Sequence, residues 1–257
     1  FHQSIPPHAF RYALSQALYA DHGVRRYGFH GTSHFYVAKQ AAGHLKRPLA
    51  SLNLITLHLG NGASVTAIKN GQSVDTSMGM TPLEGLIMGT RSGDLDPAII
   101  FSLGRQAGYS PQEIESMLNT QSGLKGICGL NDMREIGQLA AKGNEAARLA
   151  IDMYCYRIKK YIGAYYAAMG RSDALVFTGG IGENAADIRS NCCKGLSQLG
   201  IGVDEKKNNR KTKEILEIQS TTGAVRLLVI PTDEELEIAE QTVEKIKSIQ
   251  KKSNSKI

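Results

Sequence analysis

Three short segments concentrate the side chains that can hold a phosphate. They are Arg26-Tyr-Gly-Phe-His-Gly-Thr-Ser-His34, His58-Leu-Gly-Asn-Gly62 and Gly89-Thr-Arg-Ser-Gly-Asp94. Imidazole and guanidinium groups donate hydrogen bonds, and glycines let backbone N–H groups come close to a ligand. Phosphoryl transfer asks a protein for such preorganised donors and a magnesium ion, and for little covalent chemistry.

Taken singly, each segment has more than one use. His30 and His34 stand at i, i+4, the spacing of a metal pair on a helix, but capping by Thr32 or Ser33 would put His30 ahead of the helix and His34 in its first turn. The alternatives are then a structural role or an anion site at a helix N-terminus. His58-Leu59-Gly60-Asn61-Gly62 is either a plain hairpin turn or a backbone cradle. Arg91 stands between two glycines, and its planar fork can clamp a carboxylate or a flat, metaphosphate-like group unless Asp94 or Asp96 pairs with it.

The later motifs say less alone. Asp132-Met133-Arg134 has an acid ahead of a helix, which caps it or faces water. Gly180-Ile181-Gly182-Glu183-Asn184-Ala185 fits the dinucleotide fingerprint G-x-G-x-x-A, with Asp204 about 20 residues on as a ribose-binding acid. That pattern belongs to NAD-dependent oxidoreductases, yet too few strand and helix pairs follow to build a Rossmann half. Thr232-Asp-Glu-Glu235 has capping-box spacing, which occupies Glu235 and leaves Glu234 free. No G-x-x-x-x-G-K-[ST] segment is present, which excludes a P-loop kinase at motif level.

The elements that must position these groups follow from periodicity. Phe10, Leu14 and Leu18 suggest a short helix, and a second should run from Thr32 or Ser33 to Leu45. Leu52 to Leu59, Ala63 to Lys69 and Gln72 to Thr76 read as three antiparallel strands, with Asn70-Gly71 as a two-residue hairpin turn. Helices are expected over Pro97 to Gly104, Pro111 to Leu118 and, as a core element, Glu145 to Met169. There follow a strand (Ala174 to Thr178), a glycine turn (Gly179 to Gly182), a helix (Ala185 to Leu199), a strand pair, a strand (Val225 to Ile230) and a helix (Asp233 to Ile249). This order predicts an α/β, ribonuclease-H-like domain of the actin, Hsp70 and sugar kinase superfamily, with a mixed sheet and flanking helices.

Composition agrees. The 257 residues are 42% hydrophobic and 21% charged with 27 glycines, an ordinary α/β balance. No apolar run reaches the roughly 20 residues that cross a bilayer, so a cytoplasmic protein is expected. The net charge of +6 favours an anionic partner, and part of it lies in the basic tail. Cys128, Cys155, Cys192 and Cys193 form no CxxC pair and read as reduced thiols.

The motifs, in this order and through essentially the whole chain to about Ala239, resemble the acetate kinase (acetokinase) family. The resemblance implies reversible transfer of the ATP γ-phosphoryl group to acetate, with propionate as the alternative acceptor. It implies that His30 and Arg91 stabilise the transition state and that Phe29 and Pro82 line the acyl pocket. His58 to Gly62 would meet the ATP phosphates. Asp132, Met133 and Arg134, with Gly180, Ile181, Gly182, Glu183 and Asn184, would meet the adenosine, and Glu234 would hold Mg2+ (or Mn2+). A homodimer is implied, with neither nucleic acid nor membrane as partner.

The opening Phe1-His2-Gln3-Ser4-Ile5 is similar to the middle of a family member, just past its catalytic aspartate. By that likeness roughly the first third of the family's length, with its catalytic aspartate, substrate arginine and magnesium-linked asparagine, lies upstream. The expected division is an interdomain lead-in (1–24), the nucleotide-binding domain (25–231), a helix packing toward the upstream domain (232–250) and a basic tail (251–257). A nucleotide-binding fragment without turnover is the different-class alternative.

Overall fold

The computed structural model describes residues 1–254, with side chains through residue 250. Residues 255–257 of the expected tail therefore lie outside the described residues, and 251–254 continue the last helix. Strands β1 (Asn53–Leu59), β2 (Ala63–Lys69), β3 (Gln72–Thr76), β4 (Ala174–Thr178), β5 (Leu216–Glu217) and β6 (Arg226–Val229) form one mixed sheet in the order β3-β2-β1-β4-β6-β5. The first three are antiparallel, and β1, β4 and β6 run parallel, which is the expected ribonuclease-H-like arrangement. The β2 to β3 turn works as expected, with Asn70 and Gly71 both at positive φ (52° and 77°), the requirement of a type I′ hairpin.

The helices, in chain order, are α1 (Pro7–Phe10), α2 (Gln16–His22), α3 (Gly31–His44), α4 (Ala98–Ala107), α5 (Pro111–Thr120), α6 (Gly123–Cys128), α7 (Met133–Ala141), α8 (Glu145–Met169), α9 (Gly179–Asn184), α10 (Ala186–Cys193), α11 (Glu205–Asn208) and α12 (Glu234–Asn254). Period-two alternation sends β1 and β2 residues to two different cores. Ile55, Leu57, Leu59, Ala63, Val65 and Ala67 meet the buried stripe of α8, including Tyr154, Ile158 and Ile162. Leu54 and Ile68 meet Val37, Ala38 and Ala41 of α3 on the opposite face. Each large apolar side chain so buried contributes roughly 1.5–3 kcal/mol.

Four expectations change. Phe10, Leu14 and Leu18 do not share one helix, because the chain breaks between α1 and α2 and leaves Leu14 exposed. Gly179 to Gly182 is not a turn; α9 starts directly at the end of β4, and Gly179 (φ 78°) alone makes the bend. The expected helix to Leu199 ends at Cys193. The cap of α12 is Asp233, whose Oδ1 accepts from the Leu236 N–H at 2.9 Å, and not Thr232.

At the carboxyl end of β1 the face toward α3 turns polar. Thr56 and His58, with Ser64 and Thr66 beside them on β2, replace the apolar residues found farther along. The parallel neighbours β1 and β4 both end here, His58 opposite Thr178, and each runs into a glycine segment. The crevice beyond the carboxyl ends of parallel strands is where open α/β sheets bind ligands.

Candidate active site

His30 occupies the left-handed region (φ 57°) as the N-cap residue of α3, and its side chain makes no capping bond. Thr32 and Ser33, either of which the sequence suggests as the cap, lie inside this helix and do not cap it. The Ser33 hydroxyl instead bonds His58 Nδ1 (2.8 Å) and the Thr232 hydroxyl (2.9 Å). The strained start of α3 turns the His30 ring over His58, with ring centroids 4.2 Å apart and nearly parallel planes.

Beyond these rings lies Gly62. A methyl group placed on it would sit 3.5 Å from His30 Nε2 and 3.5 Å from Arg91 Nη1. The two donors therefore converge on one open point beside a residue without a side chain. Arg91 donates to the Pro82 carbonyl (3.2 Å). Neither aspartate pairs with it: Asp94 accepts from the Gly85 N–H (2.8 Å) and the Tyr161 hydroxyl (2.8 Å), and Asp96 accepts from the Ala98 N–H (2.9 Å). The Arg91 loop packs backbone to backbone on the His58 to Gly62 turn, through Gly89 N–H to Asn61 O at 3.0 Å. A Cβ at Gly89 would sit 2.0 Å from Asn61 Oδ1, so any larger residue there would displace the Asn61 side chain.

Burial dominates the electrostatics of the histidines. It pushes His30 down to about 3, with repulsion from His58 and Arg91 adding to it, and His58 down to about 4. His2, bonded to Ser73 and the Phe29 carbonyl, is held at about 4, and fully buried His34 lies well below the ordinary value, both chiefly through burial. These rings are neutral at pH 7. Between pH 6.5 and about 4 the unfolded chain takes up protons that the folded chain refuses, so stability is full above pH 6.5 and falls as pH drops through that window. One ring displaced by two units is worth on the order of 3 kcal/mol. The thermal midpoint should therefore fall clearly from pH 7 to pH 4.5, ahead of most carboxylate protonation, and a flat profile over that range would contradict the neutral cluster.

Next to this point opens a cleft of about 1040 Å³, lined by Gly60, Asn61, Asp132, Met133, Arg134, Gly180, Ile181 and Asn184. Ile151 and Ile188 supply apolar wall, and Asn131, Gln138 and Asp187 polar wall, none of them flagged by sequence motifs. Three expected ligand contacts point elsewhere. Leu59 is fully buried in the core. Gly182 is buried as well, with its carbonyl taken by Arg189. Glu183 turns inward, its Oε1 accepting from the N–H groups of Gly179 (3.0 Å) and Thr232 (3.3 Å), so it clamps the end of β4 to the approach of α12. Asp132 caps α7 and pairs with Arg134 on the rim of the cleft.

The dinucleotide alternative loses its acid here. Asp204 accepts from the Lys206 and Lys207 N–H groups (3.0 and 3.1 Å) as the cap of α11. The metal pair fails too, because His34 spends Nδ1 on the Thr56 hydroxyl and Nε2 on the Ser64 hydroxyl. Among the described residues no cluster of three metal-ligating side chains occurs. Phe29 packs at the edge of the main core, beside the start of α3. No described helix is long and apolar enough to cross a membrane.

The Acetokinase family profile matches residues 1–240. An acetate kinase of Syntrophobacter fumaroxidans is 61% identical over 247 residues, which cover 96% of this chain and 60% of that protein. Among solved structures, an acetate kinase of Porphyromonas gingivalis superposes with a TM-score of 0.92 at 48% identity, over 95% of this chain and 61% of that one. A propionate kinase of Francisella tularensis gives 0.88 at 50% identity, over 93% of this chain and 60% of that one. The chain thus spans about three fifths of the length of these relatives. By the profile over residues 1–240, and with relatives 61% identical, this chain belongs to the acetokinase family.

Proposed function

We propose that these residues form the nucleotide half of a short-chain acyl kinase, which moves the γ-phosphoryl group of ATP reversibly onto acetate. The convergence of His30 Nε2 and Arg91 Nη1 beside Gly62 carries this reading. A γ-phosphoryl group at that point has both donors on its equatorial oxygens as charge spreads over them. A carboxylate oxygen of acetate attacks phosphorus in line, the bond to the bridging oxygen of ADP breaks, and ADP leaves with that electron pair. Adenosine fills the neighbouring cleft, against Ile181 and Ile188, with Asn61 and Gly60 under the phosphates. Phe29 and Pro82 stand on the acyl side, and propionate, the acceptor of the Francisella propionate kinase, is the alternative acceptor.

Glu234 is the candidate for the divalent ion. It begins α12, two residues beyond Thr232, whose hydroxyl is joined through Ser33 to His58. A single carboxylate completed by phosphate oxygens and water is how magnesium usually joins a nucleotide site, so the residues fit Mg2+ or Mn2+. When bound, the ion would neutralise charge on the nucleotide phosphates.

Calorimetric titration with ADP and with NAD tests the assignment. ADP should bind the chain and NAD should not, since Asp204 is committed to α11. Tight NAD binding with no response to ADP would overturn it.

A further inference from the structure

The polar end of the α3 face contains a chain of hydrogen bonds whose direction is determined by what each group lacks. Thr56 is fully buried, and its hydroxyl has one partner, His34 Nδ1, at 2.7 Å. With no other acceptor in reach, the Thr56 proton must point to that nitrogen; otherwise a donor is left unpaired in the core, at a cost of about 1–3 kcal/mol. Neutral His34 then carries its own proton on Nε2 and donates it to Ser64 Oγ, 2.7 Å away. The Ser64 hydroxyl, also fully buried, has only one other partner, His30 Nδ1 at 2.9 Å, and donates to it.

Resting on the phosphoryl-transfer reading above, we infer that Thr56, His34 and Ser64 act as positioning residues that hold His30 as its Nε2–H tautomer. The proton then faces the point beside Gly62 that Arg91 also faces. The opposite tautomer would present a lone pair there, and a lone pair repels a phosphoryl oxygen. A neutral ring so oriented donates without bringing a second full charge next to Arg91. The depressed affinity of these rings for protons keeps the relay in its neutral form at pH 7.

The relay explains features that packing alone leaves without a reason. Thr56 and Ser64 form, with Thr66 and His58, a polar end of a face that is aliphatic farther along at Leu54 and Ile68. His34, centred 6.5 Å from His30, spends both nitrogens inside the protein and offers none to a ligand.

The test reads the tautomer directly, by long-range nitrogen–proton NMR correlation on residues 1–257 labelled with 15N-histidine. The wild-type chain should show His30 with pyrrole-like Nε2 and pyridine-like Nδ1. Thr56→Val and Ser64→Ala should each shift His30 toward a mixture of tautomers, and Thr56→Ser should restore the wild-type pattern. In a polypeptide of full acetokinase length that carries these residues, both damaging variants should lower kcat about tenfold and leave KM for ATP within twofold. A wild-type His30 protonated on Nδ1 overturns the inference, and so do variants that keep the Nε2–H tautomer. The spectrum of the unliganded chain does not depend on turnover, so failure of the relay is distinguishable from failure of the acyl kinase assignment.

Discussion

Arg91→Ala should lower kcat for acetyl phosphate formation by about two orders of magnitude, the scale on which loss of one preorganised donor to a developing charge is felt. The expectation applies to a polypeptide of full acetokinase length that carries these 257 residues. Arg91 is held by its loop and not by a carboxylate partner, since Asp94 and Asp96 are committed to backbone N–H groups. Its Nη1 bonds only weakly placed acceptors, the Pro82 carbonyl and the Met88 sulfur, so removal of the side chain leaves no buried charge unpaired. Folding should survive. The arginine also lies outside the cleft assigned to adenosine, and ADP affinity by calorimetry should stay within a few-fold of wild type. Hydroxamate detection of acetyl phosphate measures the rate, and near-normal turnover would remove Arg91 from the mechanism.

How far the site could be read from residues alone depends on whether the determinant was local. Helix α8 was legible to its last residue, because Asn144 caps its start by accepting from the Ala147 N–H and Gly170 (φ 81°) ends it. The hairpin at Asn70-Gly71 was legible for the same reason, since two positive φ angles demand such residues. The start of α3 was not. A hydroxyl at Thr32 or Ser33 ahead of an apolar run is a sound cap signal, but Ser33 is drawn away by His58 and Thr232, a partner 199 positions later in the chain. Tertiary contact overrode the local preference.

Glu183 shows the same limit from the other side. Within Gly180 to Asn184 nothing marks one residue as inward-facing, yet two N–H groups from β4 and the approach to α12 need an acceptor, and this carboxylate supplies it. Ser64 and Thr56 carried no signal at all, because a small polar residue in a strand is commonplace. Only the register that sets Ser64 opposite His58, together with the α3 helix above, shows that they meet the two histidines. The phosphate-handling segments were legible only together, since each taken singly had a structural use and the family resemblance alone singled out His30 and Arg91.

Residues 1–257 alone should bind ADP yet form acetyl phosphate at less than about a hundredth of the rate of a polypeptide of full acetokinase length. The first half of the expectation rests on the cleft, whose walls from Asn61, α7, α9 and α10 are built entirely from this chain. The second rests on what stands opposite. His30, Arg91 and Gly62 supply one side of the phosphoryl point, and the chain spans about three fifths of the length of its relatives. Phosphoryl transfer is catalysed by positioning, and an attacking acetate that is not held in line forfeits most of that advantage. A site closed on one side only would also admit water, which weakens each electrostatic contact and invites hydrolysis of the nucleotide. Helix α12 rests on α3, where Lys39 bridges Glu237 and Glu240, and it leaves Leu236, Ile238, Val243 and Ile246 as exposed apolar surface. Adding the family's remaining N-terminal segment in trans should therefore raise the rate in a saturable, concentration-dependent way, as docking on such a face requires. Robust acetyl phosphate production by the pure chain without that segment would show that the groups beside Gly62 suffice, and the one-sided reading of the site would be abandoned.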